Sequence, residues 1–193
     1  MSPSVFIIFG ITGDLARRKV LPSLYNLAKD GLLPEPTYLV GTSRRPMDAQ
    51  ALKTEIAEAV QAATGQPANQ AVIDSLQPSM VTLDPAKAED YRGLKDHLEQ
   101  LPVEQRLFYL SIPPEVYGQV VNYLGEQGLN QGPGPVRLLV EKPFGTDLAS
   151  AQALIDLTAK HFTEDQIMRI DHYLAKETAQ NILTFRARNP DRK

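Results

Sequence analysis

The segment Arg169-Ile170-Asp171-His172-Tyr173-Leu174-Ala175-Lys176-Glu177 gathers an imidazole, a phenol, an ammonium and carboxylates into one short run. If a helix starts near Asp171, His172 and Lys176 are four apart and Tyr173 and Lys176 three apart, so all three can share one face. Such a cluster at a helix start suits a phosphate monoester. Asp171 either caps that helix or orients a neighbouring histidine. A single histidine without further His or Cys ligands does not make a metal site, and none is expected. His97 and His161 stand in polar helical stretches and read as surface residues.

A second constellation opens the chain, where Phe9-Gly10-Ile11-Thr12-Gly13-Asp14-Leu15-Ala16 follows a short apolar run. Gly10 and Gly13 let the backbone turn sharply and approach a ligand closely. The helix beyond them points free N–H groups and partial positive charge at that place, which favours a pyrophosphate. Thr12 can add a hydroxyl. The string departs from G-x-G-x-x-G, because Thr12 and Leu15 occupy the second and third glycine places. An ordinary strand–helix turn with Asp14 as its cap is the plain alternative. The end of the next strand weighs against it. Where an NAD site carries a carboxylate for the ribose 2′-hydroxyl, this chain reads Gly41-Thr42-Ser43-Arg44-Arg45. A guanidinium fork matches a phosphate that a carboxylate would repel, so NADP is expected rather than NAD. A third string, Val140-Glu141-Lys142-Pro143-Phe144-Gly145, places Lys142 where a strand ends, within reach of a sugar hydroxyl or the cofactor.

These residues need a frame that brings strand ends together. Ser4–Phe9 reads as a strand buried on both faces. A helix is expected over Asp14–Asp30, bent or jointed at Pro22 and stopped by Gly31. Further strands are expected at Tyr38–Val40, Met80–Leu83, Arg106–Ile112, Val136–Val140 and Ile167–Ile170. The helices between them are expected at Asp48–Ala63, Ala86–Leu98, Glu115–Glu126 and Leu148–Lys160, with a last one at Tyr173–Arg186. Thr64–Ser79 gives weak signals. The alternation predicts a doubly wound, mainly parallel α/β sheet in a single domain, with ligands bound at the carboxyl ends of its strands.

Composition agrees with one domain: 193 residues, 42% hydrophobic and 22% charged. The absence of Cys excludes disulfides, thiolate metal sites and a Cys nucleophile. No apolar run approaches a membrane span, and Val5–Phe9 lacks the basic flank of a signal peptide. A net charge of −3 gives no support for nucleic-acid or membrane binding. A cytoplasmic protein is the expectation. Charge is uneven all the same: residues 1–45 carry six basic and three acidic groups, whereas residues 46–130 carry five and twelve.

Taken together and in order, Gly10–Ala16, Glu141–Gly145 and Arg169–Glu177 resemble the glucose-6-phosphate dehydrogenase family, over about Val5 to Phe185. The resemblance implies a Rossmann-like domain over 1–185 and oxidation of glucose 6-phosphate with NADP, opening the pentose phosphate pathway. It assigns Gly10, Thr12, Gly13, Asp14 and Leu15 to the pyrophosphate turn, Arg44 to the 2′-phosphate, and Asp84-Pro85 to the cofactor lining. Lys142 resembles the lysine shared by cofactor and substrate. His172, Tyr173 and Lys176 resemble the substrate-phosphate pocket, and Lys19 the wall of the same cleft. Asp171 resembles the partner of the catalytic histidine. Ala175 replaces the family's usual glycine, and residues 186–193 depart from its pattern. Family members continue into a large antiparallel sheet domain that carries that histidine, most sugar contacts and the homo-oligomer interface. The resemblance therefore implies that this chain alone is inactive. A truncated, non-catalytic NADP-binding module and another sugar-handling oxidoreductase are the alternatives.

Overall fold

Every residue of Ser4–Phe9 (β1) is buried, as an uninterrupted apolar strand in the middle of a parallel sheet must be. The computed structural model describes residues 2–141 and 148–170. Five more strands complete the sheet: β2 (Thr37–Ser43), β3 (Pro78–Thr82), β4 (Gln105–Leu110), β5 (Val136–Glu141) and β6 (Ile167–Ile170). Their order is β3-β2-β1-β4-β5-β6, and every neighbouring pair is parallel. The chain runs outward from β1 to β3, then returns to the other side of β1 and runs outward again. The reversal lies between β1 and β4, where Phe9 is in register with Leu110 on one side and Thr42 on the other.

The period of two along β1 divides the core into two layers. Val5, Ile7 and Phe9 face one cluster, with α4 (Asp90–Glu99) and α5 (Tyr117–Glu126) supplying Tyr91, Leu94, Leu98, Val120 and Leu124. Phe6 and Ile8 face the other. There α1 (Leu21–Lys29), α2 (Ala49–Thr64) and α3 (Gln70–Ser75) bring Leu24, Leu27, Leu52, Ile56 and Ile73. Each such side chain contributes about 1.5–3 kcal/mol by leaving water. Phe9 stacks on Tyr91 with ring centroids 6.1 Å apart, anchoring the last residue before the glycine turn. The last described α-helix, α6 (Leu148–His161), packs on α5.

Three expectations are corrected, and one weak segment gains an element. The helix expected over Asp14–Asp30 has a π-helical turn at Ala16–Val20 before α1. That extra residue places Pro22 in the first turn of α1, where its missing N–H costs nothing. The joint therefore precedes the proline. In the weak segment Thr64–Ser79, α3 forms with Asn69 as its cap, the side chain accepting from Ala71 N at 2.9 Å. The α4 helix starts at Asp90 rather than Ala86, because residues 84–89 are spent in turns. His97 and His161 are half-buried rather than surface residues: His97 shares a hydrogen bond with Ser79 Oγ at 2.9 Å, and His161 with Asn122 Oδ1 at 3.2 Å. The His161 ring lies against Gly125 of α5, where no Cβ would fit. The expected helix at Tyr173–Arg186 lies outside the described residues.

Candidate functional site

The turn after β1 is built from contacts that only glycine permits. Gly10 has φ +73°, and a Cβ there would come within 2.5 Å of Ser111 O and 2.9 Å of Ile112 Cγ2. Gly13 N donates to Gly10 O at 2.8 Å, and Arg17 N to Gly13 O at 3.0 Å, so the helix begins directly from the turn. Ile11 is buried and serves as the turn's anchor. It sits against Gly41 of β2, where a Cβ would meet Ile11 Cδ1 at 2.7 Å and Met80 Sδ at 2.6 Å. Thr12 and Asp14 are exposed and Leu15 half-buried. Asp14 points along its own helix to Arg18, 3.4 Å away. The result is an open cradle of backbone at a helix start, with the shape and sign for a phosphate group.

The neighbouring strand ends carry the flanking groups. Arg44 and Arg45 follow β2, both exposed, and neither forms an ion pair among the described residues. Arg17, by contrast, is paired with Glu55. The ladder continues past β3 through Leu83 N to Ser43 O at 2.9 Å, which sets Asp84 beside the end of β2. Asp84 and Pro85 are held in a local turn: Asp84 N donates to Asp90 Oδ2 at 2.8 Å, Ala86 N to Asp84 Oδ1 at 3.1 Å, and Tyr91 OH to Pro85 O at 3.0 Å. Lys19 is exposed on the π-helical turn and lines a groove against Glu55, Glu58 and Ala59 of α2.

Polar groups are also buried near the ends of β4 and β5. Tyr109 donates its hydroxyl to Glu141, and both residues are more than nine-tenths buried. Burial first, and the carboxylate second, push the Tyr109 phenol far up, so it stays a donor. Tyr117 donates to Leu110 O at 3.3 Å and is pushed up to about 12, mainly by burial. Ser111 is buried with no partner for its hydroxyl among the described residues. Sequence reasoning missed Gly41, Tyr109 and Ser111. Of these only Gly41, a glycine inside an apolar strand, carries a signal of close packing. Lys142, Asp171, His172, Tyr173 and Lys176 lie outside the described residues, as does Pro143. The residues that precede two of them, Glu141 and Ile170, are register partners on β5 and β6. Among the described residues no three His, Asp or Glu cluster as a metal site would require, and no helix is long and apolar enough to cross a membrane.

A parallel sheet in this order, with a glycine turn feeding a helix at its point of reversal, defines a Rossmann-type dinucleotide-binding domain. Comparison with known proteins narrows this class. Residues 7–181 match the family model described as "Glucose-6-phosphate dehydrogenase, NAD binding domain", and the chain belongs to that family. A glucose-6-phosphate 1-dehydrogenase of Chlamydia muridarum is 39% identical over 202 aligned positions, covering 97% of this chain and 39% of the relative. The crystal structure of glucose-6-phosphate 1-dehydrogenase from Mycobacterium avium superposes with a TM-score of 0.78 at 31% identity, over 98% of this chain and 40% of the other. A glucose-6-phosphate dehydrogenase solved in complex with glucose 6-phosphate gives 0.76 at 34% identity, over 96% and 40%. The chain thus spans about two-fifths of the length of these relatives.

Proposed function

We propose that the chain is the coenzyme domain, over about residues 1–185, of an NADP-dependent enzyme that oxidises glucose 6-phosphate at C1 to 6-phosphoglucono-lactone. The observation that carries this reading is the open Gly10–Leu15 cradle beside the segment Gly41–Arg45, which has no carboxylate of its own and offers two arginines, Arg44 and Arg45, unpaired among the described residues. When bound, the nicotinamide ring supplies the acceptor for the hydride. The chain's own residues bind and orient. Backbone N–H groups of Thr12, Asp14 and Leu15 hold the pyrophosphate, Arg44 holds the 2′-phosphate, and the Asp84-Pro85 turn borders the adenosine side.

Lys142 follows β5 in the chain and is assigned to both the cofactor and the sugar. His172, Tyr173 and Lys176 are assigned to the substrate phosphate, with Lys19 at its margin. A base must take the C1 hydroxyl proton, a contribution of about 10²–10⁴-fold. Asp171 orients that base. The family resemblance assigns the base to a histidine in the part of the relatives that this chain does not span, while His97 and His161 are engaged in packing contacts. Such an enzyme works in the cytoplasm, as a homo-oligomer whose interface lies mostly outside this chain. It needs neither nucleic acid nor a membrane. The second reading is a non-catalytic NADP-binding module, which turnover by the whole gene product would exclude.

Arg44→Ala tests the cofactor assignment. NADP binding should weaken by about 1.5–3 kcal/mol, the worth of a hydrogen bond to a charged group, while NAD binding changes little. Equal losses for the two cofactors in a fluorescence titration would refute it.

A further inference from the structure

Ser111 carries a hydroxyl that is buried and has no partner among the described residues, and nothing in the proposed mechanism uses it. The residue is 8% exposed. Native proteins seldom keep a buried hydroxyl without a hydrogen bond, because its lost hydration is not replaced. Its place in the fold indicates what completes it. Ser111 N donates to Phe9 O at 3.0 Å, so residue 111 carries the β1–β4 ladder one step past Leu110. Its carbonyl oxygen is the atom that a Cβ on Gly10 would strike at 2.5 Å. Ser111 is therefore packed against the glycine turn from the β4 side, whereas Arg44 flanks that turn from the β2 side. The two halves of a dinucleotide lie across the reversal between such strands. With the 2′-phosphate on Arg44, the adenosine half occupies the β2 side and the nicotinamide half the β4 side. Arg106 Nε and Asn130 Oδ1 are also buried without partners among the described residues, but one lies at the start of β4 and the other before β5, at the amino ends of the strands and away from the glycine turn.

We infer that Ser111 is a positioning residue for the cofactor, its hydroxyl donating to a phosphate or ribose oxygen of the nicotinamide half. The inference rests on the dinucleotide reading of the site. Ser111 is followed by the half-buried Ile112 and the exposed Pro113, so the chain reaches the surface within two residues of the hydroxyl.

The test compares the 193-residue chain with its Ser111→Ala variant, titrated with NADP and with adenosine 2′,5′-bisphosphate, which lacks the nicotinamide half. The variant should bind NADP about fivefold more weakly and the bisphosphate equally well. Its ligand-free melting temperature should be unchanged or raised, because an unsatisfied buried group is gone. Unchanged NADP affinity overturns the inference. So does an equal loss for both ligands, or a lowered ligand-free melting temperature accompanied by that loss, since either marks general damage to the fold. If the wild-type chain binds neither ligand, the dinucleotide reading itself fails, and that failure shows before any substitution is made.

Discussion

Tyr109 and Glu141 show how much a single buried contact can carry in this sheet. The carboxylate is 6% exposed and takes the phenol's hydrogen bond across two neighbouring strands. Tyr109→Phe keeps the ring and deletes the donor, so stability should fall by about 1.5–3 kcal/mol, the usual worth of a bond to a charged group. Urea unfolding would measure it. Gly10 offers a second test with an internal control. Gly10→Ala combines φ +73° with a 2.5 Å approach to Ser111 O, so it should cost about 2–4 kcal/mol and abolish NADP binding. Gly31 has φ +64° but nothing within 4 Å of an added Cβ. Gly31→Ala should therefore cost only the backbone strain, about 1–2 kcal/mol. Equal costs at both positions would show that crowding by Ser111 does not matter. Both glycines stand out in the sequence, as turn and helix stop, yet nothing in it says which one is crowded.

Among the elements, α4 and β3 are joined by a pair that strand and helix patterns do not announce. His97 is half-buried against Ser79, and burial lowers its pKa from the ordinary 6.5. The unfolded chain then takes up the proton more readily than the folded one. Stability is complete above about pH 6.5 and falls as pH drops below it. Chemical denaturation of wild type and His97→Gln at about pH 7.5 and about pH 5.5 should show the larger loss in the wild type. Parallel losses would remove His97 as the cause. The polar sequence around His97 concealed this, because one face of a charged helix still packs on Ser79. The π-helical turn was equally hidden. Pro22 announced a joint, but only the packing of Val20 and Leu21 into the core decides that the chain adds a residue before it.

At the scale of the molecule, the sheet order brings the ends of β2, β1 and β4 together, and with them Arg44, Gly10 and Ser111. The 193-residue chain is predicted to gain thermal stability with NADP, by about 2.7 kcal/mol at a hundred times the dissociation constant. It should show little or no turnover of glucose 6-phosphate, because the family resemblance assigns the base to a part of the relatives that this chain does not span. Robust turnover by this chain alone would overturn that assignment. The sequence by itself determined the alternation of strands and helices, the glycine turn and the basic end of β2. Those features depend on local periodicity, on glycine's conformational range and on the charge of a few neighbouring residues. Only the tertiary structure decided that Gly10 is crowded by a residue about a hundred positions away, that Gly41 seats the turn, and that Tyr109 meets Glu141. These are contacts between strands adjacent in space and distant in the chain, and no local pattern encodes which strands will be neighbours.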